Sequence, residues 1–438
     1  MSLPGSTSTL QPTLYPVFLP RTERTLVIAL LVVATAQALL WSLLRPLDDG
    51  GPDESAHAAI VFAIRNHGGW PTAAVPGTPP NFERIPNAFG FVVAALLAIV
   101  RSADESLTMH VARLPYVALL PLTLWLAYLT LRRIFSRRQG ARVWGVAVLA
   151  AIPNFVLAHA IVTNDSPAIA VSTLAVYATI RASQENYRRS DVLLLGGALG
   201  LVLLHKFNGL LILPGAAGLV VWDLWRRPRR LLRVSGVLIG CIALVAGWTI
   251  FRAVAVYGHP LGGILAHAEP SAGAMSASEQ MSFLEFLRTS DWVGEVFATF
   301  WAGYGLEKLK LPGAVHVGLA VFIGVAGIGL VWRAIQWIAQ RPPSRPPIHL
   351  IVLAAFLFGG LVFMSLWRSY SVVLGLAGRY LYPSAVPFVI LLIAGLGAFA
   401  WRRAPLSGVA VLTLPALPAA SLAYTLHILV RDVIAYAY

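Results

Sequence analysis

The sequence predicts an all-α, polytopic membrane protein with about eleven membrane-spanning helices. Three observations predict it. Hydrophobic residues make up 58% of the chain and charged residues only 12%, where a soluble domain carries roughly 25% charged. The apolar residues fall into repeated continuous runs of about 20, the length that crosses a hydrocarbon core. Between the runs lie arginine clusters, so the net charge of +14 reads as cytoplasmic loops rather than a nucleic-acid surface. Continuous runs also exclude a membrane β-barrel, whose strands alternate.

The order of the spans follows from charge parity. Basic clusters occur at Arg21 and Arg24, at Arg132, Arg133, Arg137, Arg138 and Arg142, and at Arg181, Arg188 and Arg189. Others occur at Arg226, Arg227, Arg229, Arg230 and Arg233, at Arg333, Arg341 and Arg345, and at Arg402 and Arg403. If all are cytoplasmic, an even number of crossings separates each neighbouring pair. Three apolar runs lie between the first two clusters: Thr25–Leu44, Ala88–Val100 and Val111–Leu131. The middle run is too short to cross and is expected to lie in the outer interface. Further spans are expected near 142–160, 167–182, 232–254, 313–335, 348–366, 380–401 and 406–429, with 191–225 as a hairpin broken at His205–Gly209.

The domain organisation is then a cytoplasmic tail, 1–24, and one transmembrane domain, 25–438. Outer loops are expected at about 45–109, 153–166, 205–209, 256–311 and 367–379. In this arrangement only Glu23, Glu185, Asp191 and Asp223 fall on the inner side, so the acidic residues gather outside. The single cysteine, Cys241, excludes an internal disulfide. No Walker-type phosphate loop or dinucleotide fingerprint is present.

The outer loops carry the candidate chemistry. After the first span comes Asp48-Asp49-Gly50-Gly51-Pro52-Asp53-Glu54-Ser55-Ala56-His57. Pro52 and Asp53 read as a helix start, placing Asp53 and His57 one turn apart; the bland alternative is a helix cap and a first-turn acid. In the second loop, Asn164 and Asp165 precede a span and read either as a cap or as a site carboxylate. Lys206, one of three lysines, reads as a phosphate partner or as an interface anchor. Gly378-Arg379-Tyr380-Leu381-Tyr382-Pro383 offers a guanidinium able to give two hydrogen bonds to a phosphate, or a headgroup anchor. Phe300-Trp301-Ala302-Gly303-Tyr304-Gly305 could line a sugar site or form the aromatic belt. Asp53, Glu54 and His57 are hard ligands without a recognised zinc spacing.

In their order and shared outer placement, these pieces resemble the GT-C superfamily of membrane glycosyltransferases. Asp53-Glu54-x-x-His57 is similar to the Asp-Glu-x-x-His motif of the protein O-mannosyltransferase branch. The resemblance implies a polyprenyl-phosphate sugar donor, a glycan, lipid or protein acceptor, and transfer with inversion on the outer face of the cell membrane. It implies that Asp53 is the general base, with Glu54 and His57 supporting it. Asp165, beside Asn164, would orient the acceptor or sugar. Lys206 and Arg379 would hold the lipid phosphate, with Tyr304 and Tyr380 lining the substrate site. No cofactor is required by this chemistry, and divalent metal dependence is left open. The competing class is a lipid or glycan transporter, which also uses intramembrane charge; no symmetry between two halves is visible to favour it.

Overall fold

The computed structural model describes residues 20–45, 53–79, 82–84, 87–102, 104–136, 138–205, 207–259, 277–302, 311–340, 348–371, 377–399, 420–428 and 430. Among them, six helices are long and apolar enough to cross a membrane. They begin with α1 (Pro20–Leu44), and the last is the stretch Gly378–Leu396.

The first long loop folds back rather than crossing. Helix α2 (Glu54–His67) and the short apolar α3 (Phe89–Val100) pack together against the start of α4 (Glu105–Ile134). Ile60, Val61 and Ile64 of α2 meet Val93, Ala94 and Leu97 of α3 in a small satellite core with Met109, Ala112 and Tyr116. At 12 residues, α3 is about 18 Å long, shorter than the roughly 30 Å of hydrocarbon that a span must cross. Asp104 starts α4 by accepting from the backbone N–H groups of Ser106 and Leu107, at 2.9 and 3.3 Å.

The span expected near 142–160 is two elements. Helix α5 (Gln139–Ala150) stops, and α6 (Pro153–Ala158) restarts with Pro153 in its first turn. Proline disfavours the helical region at the residue before it, and Ile152 is extended (φ −83°, ψ 105°). Every residue of Gly140–Ala150 is buried, so α5 is central and not lipid-facing. Helix α7 (Asp165–Gln184) follows, then α8 (Arg189–Leu203) and α9 (Ile212–Leu224), the two arms of the expected hairpin.

Helix α10 (Pro228–Tyr257) lies against α8 so closely that only hydrogen fits at two positions one turn apart. A Cβ on Gly196 would stand 2.6 Å from Cys241 Cβ, and one on Gly200 2.7 Å from Val245 Cβ. Small residues at this spacing let helices in a bilayer gain dispersion contacts without a hydrophobic driving force. Beyond α10 come α11 (Phe283–Thr289), α12 (Trp292–Trp301), α13 (Gly313–Gln340), α14 (Ile348–Ser371) and α15 (Ala385–Leu396). Inside the bundle, Gln37 of α1 donates to Thr425 Oγ1 at 2.6 Å and Ser421 Oγ at 3.0 Å. The rest of the span expected at 406–429 lies outside the described residues.

Ion pairs and hydrogen bonds gather some of these segments at two ends. At one end, Arg142 pairs with Glu23 (3.0 Å), Arg133 with Glu185 (3.3 Å), and Arg181 with Asp191 (2.7 Å). These residues belong to the loops and flanks expected inside. At the other end, the backbone N–H of Ala88 bonds Leu204 O, Arg252 bonds Pro71 O, and Asn154 bonds Thr299 O. These tie together the segments expected outside.

Candidate functional site

The second end holds a cluster of charge built from three segments far apart in sequence. Asp53 occupies the N-cap position of α2 in the left-handed conformation (φ 64°, ψ 9°) and makes no side-chain cap bond. Its carboxylate is thus directed elsewhere. Arg379 Nη2 donates to Asp53 Oδ2 at 3.0 Å, and Arg379 Nε lies 3.8 Å from Asp165 Oδ2. The Asp53 side chain is 48% exposed and that of Asp165 only 5%. One guanidinium therefore bridges an accessible carboxylate and a buried one.

Each partner is held by a separate device. Asp165 begins α7, and its backbone N–H donates to Thr163 Oγ1 at 3.2 Å. Asn164 sits at the N-cap position, buried, without a side-chain cap bond. Arg379 belongs to a 3₁₀ turn, Gly378–Ser384, clamped on both sides. Tyr382 is fully buried against Phe155 and Phe300 and donates its hydroxyl to Phe300 O at 2.6 Å. The Gly378 N–H donates to Thr299 Oγ1 at 2.7 Å, and a Cβ at Gly378 would fall 2.2 Å from Phe300 N. Glycine is required because the backbone of α12 passes through the space a side chain would take.

Glu54, expected to support catalysis from beside Asp53, turns away from Arg379 toward Arg113. It is 2% exposed. Arg113, fully buried in α4, donates to both its oxygens at 2.8 and 2.9 Å. The Val162 N–H donates to Glu54 Oε1 at 2.9 Å, and Arg113 Nη1 also bonds Ser42 O and Arg45 O. One ion pair thereby pins the end of α1, the start of α2, α4 and the loop before Asp165. Sequence reasoning missed Arg113. Its signal was an arginine within an apolar, proline-containing helix, where ionisable residues mark function or its support.

His57 is buried with its ring 4.7 Å from that of Phe82. Tyr380 lies beside the site with the Arg379 guanidinium 5.4 Å from its ring centre. Phe300 and Trp301 are buried; Phe300 packs on Tyr382 and Phe388, and Trp301 on Phe388. Lys206 and Tyr304 lie outside the described residues, as do Asp48 and Asp49. Among the described residues, no three His, Cys, Asp or Glu side chains converge as metal ligands. Asp53, Glu54 and His57 do not form such a set, because Glu54 is engaged by Arg113 and Asp53 by Arg379.

Comparisons fit this architecture. Residues 87–251 match the family model described as dolichyl-phosphate-mannose-protein mannosyltransferase. ArnT from Cupriavidus metallidurans, solved bound to undecaprenyl phosphate, is 18% identical with a TM-score of 0.54; the match covers 85% of this chain and 59% of that one. The archaeal oligosaccharyltransferase AglB from Archaeoglobus fulgidus was solved with an inhibitory peptide and a dolichol-phosphate. It is 14% identical with a TM-score of 0.52, covering 92% of this chain and 55% of its own. The chain thus spans little more than half the length of these structures. No curated protein sequence matches it significantly. The chain shares the fold of these two solved structures, the fold that its resemblance to the GT-C superfamily implies.

Proposed function

We propose that the chain is a glycosyltransferase that moves a sugar from a polyprenyl-phosphate donor to an acceptor hydroxyl, with inversion, on the outer face of the cell membrane. The observation that carries this reading is the single guanidinium of Arg379 spanning Asp53 and Asp165. Asp53, the accessible carboxylate, is the general base. The acceptor oxygen attacks the anomeric carbon as its proton passes to Asp53. The bond from that carbon to the phosphate oxygen breaks, and its electron pair leaves with the lipid phosphate. A single displacement inverts the anomeric centre.

The bridge couples the two halves of the step. When Asp53 takes the proton it loses its charge, and Arg379 is left opposite Asp165 alone. The Arg379 Nη2–H that faced Asp53 is released just as the leaving phosphate gains negative charge, which is where a preorganised donor lowers a barrier. Asp165 holds Arg379 in place throughout and orients the acceptor or sugar. Lys206 is the second cation for the phosphate. Such a donor is already activated, so a base, positioning and cations suffice. The acceptor is a glycan, a lipid or a protein.

The test is a screen of polyprenyl-phosphate sugars with purified protein in lipid, read as sugar release or transfer. Turnover abolished by Asp53→Asn supports the reading. Lipid or glycan movement without sugar transfer would assign the chain to the transporters instead.

A further inference from the structure

Helix α9 has two faces. Ala216, Leu219, Val220 and Leu224 are buried in the bundle, whereas Trp222 is 68% exposed and Trp225, just past the helix, 62%. Gly218, Val221, Trp222, Trp225 and Arg226 follow at helical spacing on the outward side, and they line an open hollow of about 520 Å³. Clefts that hold small ligands run from about 300 to 1,000 Å³. At Gly218 the hollow is unfilled: a Cβ there would meet no atom within 4 Å.

Charge is concentrated at one rim. Arg226, Arg227, Arg229, Arg230 and Arg233 fall within residues 226–233. The one acid beside them in sequence, Asp223, is engaged elsewhere. It accepts from Ser183 Oγ at 2.6 Å and from the Tyr187 hydroxyl at 2.8 Å. Arg230 donates to Asn186 O. Among the described residues, Arg226, Arg227, Arg229 and Arg233 are exposed and none of them is in an ion pair. The guanidinium carbon of Arg226 lies 4.8 Å from the centre of the Trp225 ring, an attraction that holds a cation at the mouth of the hollow.

Position identifies the occupant. The apolar stretch Gly209–Leu224 ends just before Trp225 and Arg226, so the hollow straddles the change from hydrocarbon-compatible to charged surface, where headgroups lie. Tryptophans of an aromatic belt do not by themselves distinguish one headgroup from another. Arginines without acidic partners do, because they favour a net negative lipid. A free phosphate would match the rim but leave the apolar floor uncovered.

We propose that this hollow binds an anionic phospholipid, with its phosphate on Arg226 and one acyl chain running past Trp222 to the open position at Gly218. The site lies away from the Arg379 cluster. Ser183 and Tyr187, which hold Asp223, belong to the end marked by the Arg181–Asp191 pair. It is independent of the transfer chemistry.

The experiment titrates the full chain, purified in detergent, with phosphatidylglycerol and with phosphatidylcholine, and counts bound lipids by native mass spectrometry. Wild type is expected to retain phosphatidylglycerol in preference to phosphatidylcholine. Arg226→Gln is expected to weaken phosphatidylglycerol about fivefold, the worth of one arginine near a headgroup, and to leave phosphatidylcholine unchanged. Gly218→Leu keeps every charge, fills the open position and should weaken the same lipid. Leucine there enters open space and favours helix, so the variant folds, as an unchanged melting curve would show. Arg24→Gln removes an exposed arginine of the first basic cluster and should bind as wild type does. Equal affinity of the wild-type protein for the two lipids overturns the proposal. So does wild-type binding by Arg226→Gln or by Gly218→Leu. A loss in Arg24→Gln as large as that in Arg226→Gln also overturns it, since diffuse attraction to a basic surface would then explain the preference.

Discussion

Arg379 donates to Asp53 across a gap of more than three hundred residues in sequence, at 3.0 Å. This contact places a carboxylate that follows the first span beside a guanidinium that precedes one of the last. Its consequences can be measured.

Asp53→Asn keeps the shape of the side chain and removes its basicity. Positioned general bases contribute about 10²–10⁴ in rate, so transfer should fall by at least about a hundredfold while lipid-phosphate binding persists. Single-turnover assays alongside a binding isotherm read both. A variant with near wild-type turnover would remove Asp53 from the chemistry.

Glu54 and Arg113 make a different prediction, because both are buried. Breaking one side of a buried pair costs about 3–5 kcal/mol, chiefly by stranding the other charge. Glu54→Leu should therefore destabilise the protein strongly, and Glu54→Leu combined with Arg113→Met should recover part of that loss. Melting curves of the single and double variants test this. Equal stability of Glu54→Leu and wild type would show that the pair does not hold the loop.

Gly378→Ala addresses position rather than charge. The new methyl group would collide with the backbone of α12, and overpacking of this kind costs about 1–3 kcal/mol or more. Since Arg379 is the next residue, kcat should drop with the loss of stability. Retained activity at a wild-type melting temperature would mean that the 3₁₀ turn can shift without consequence.

Arg379→Lys separates charge from geometry. A lysine keeps one positive charge but cannot span two carboxylates with a planar fork. Activity should fall by one to two orders of magnitude, roughly the cost of one misplaced stabilising donor, with Arg379→Gln lower still. Identical kinetics for the lysine and glutamine variants would show that charge at this position is irrelevant to the rate.

Much of this was legible in the amino-acid sequence. Apolar run length is a local quantity set by bilayer thickness; it marked the short α3 and the six long apolar helices among the described residues, where about eleven spans were expected. Arginine distribution is a count along the chain, and three of the arginines it grouped, Arg133, Arg142 and Arg181, each pair with an acidic residue expected on the same side. The motif residues Asp53, Asp165 and Arg379 were singled out because carboxylates and guanidinium groups are costly beside a membrane. The break at Pro153 had a local cause that length alone concealed. Only the tertiary structure could decide direction. Asp53 and Glu54 are neighbours in the chain, yet Asp53 stands outside the helix in the left-handed conformation while Glu54 opens it. One carboxylate reaches Arg379 and the other is buried on Arg113. Composition and spacing record which charges exist; which of them meet depends on how distant helices pack, and no single segment carries that information.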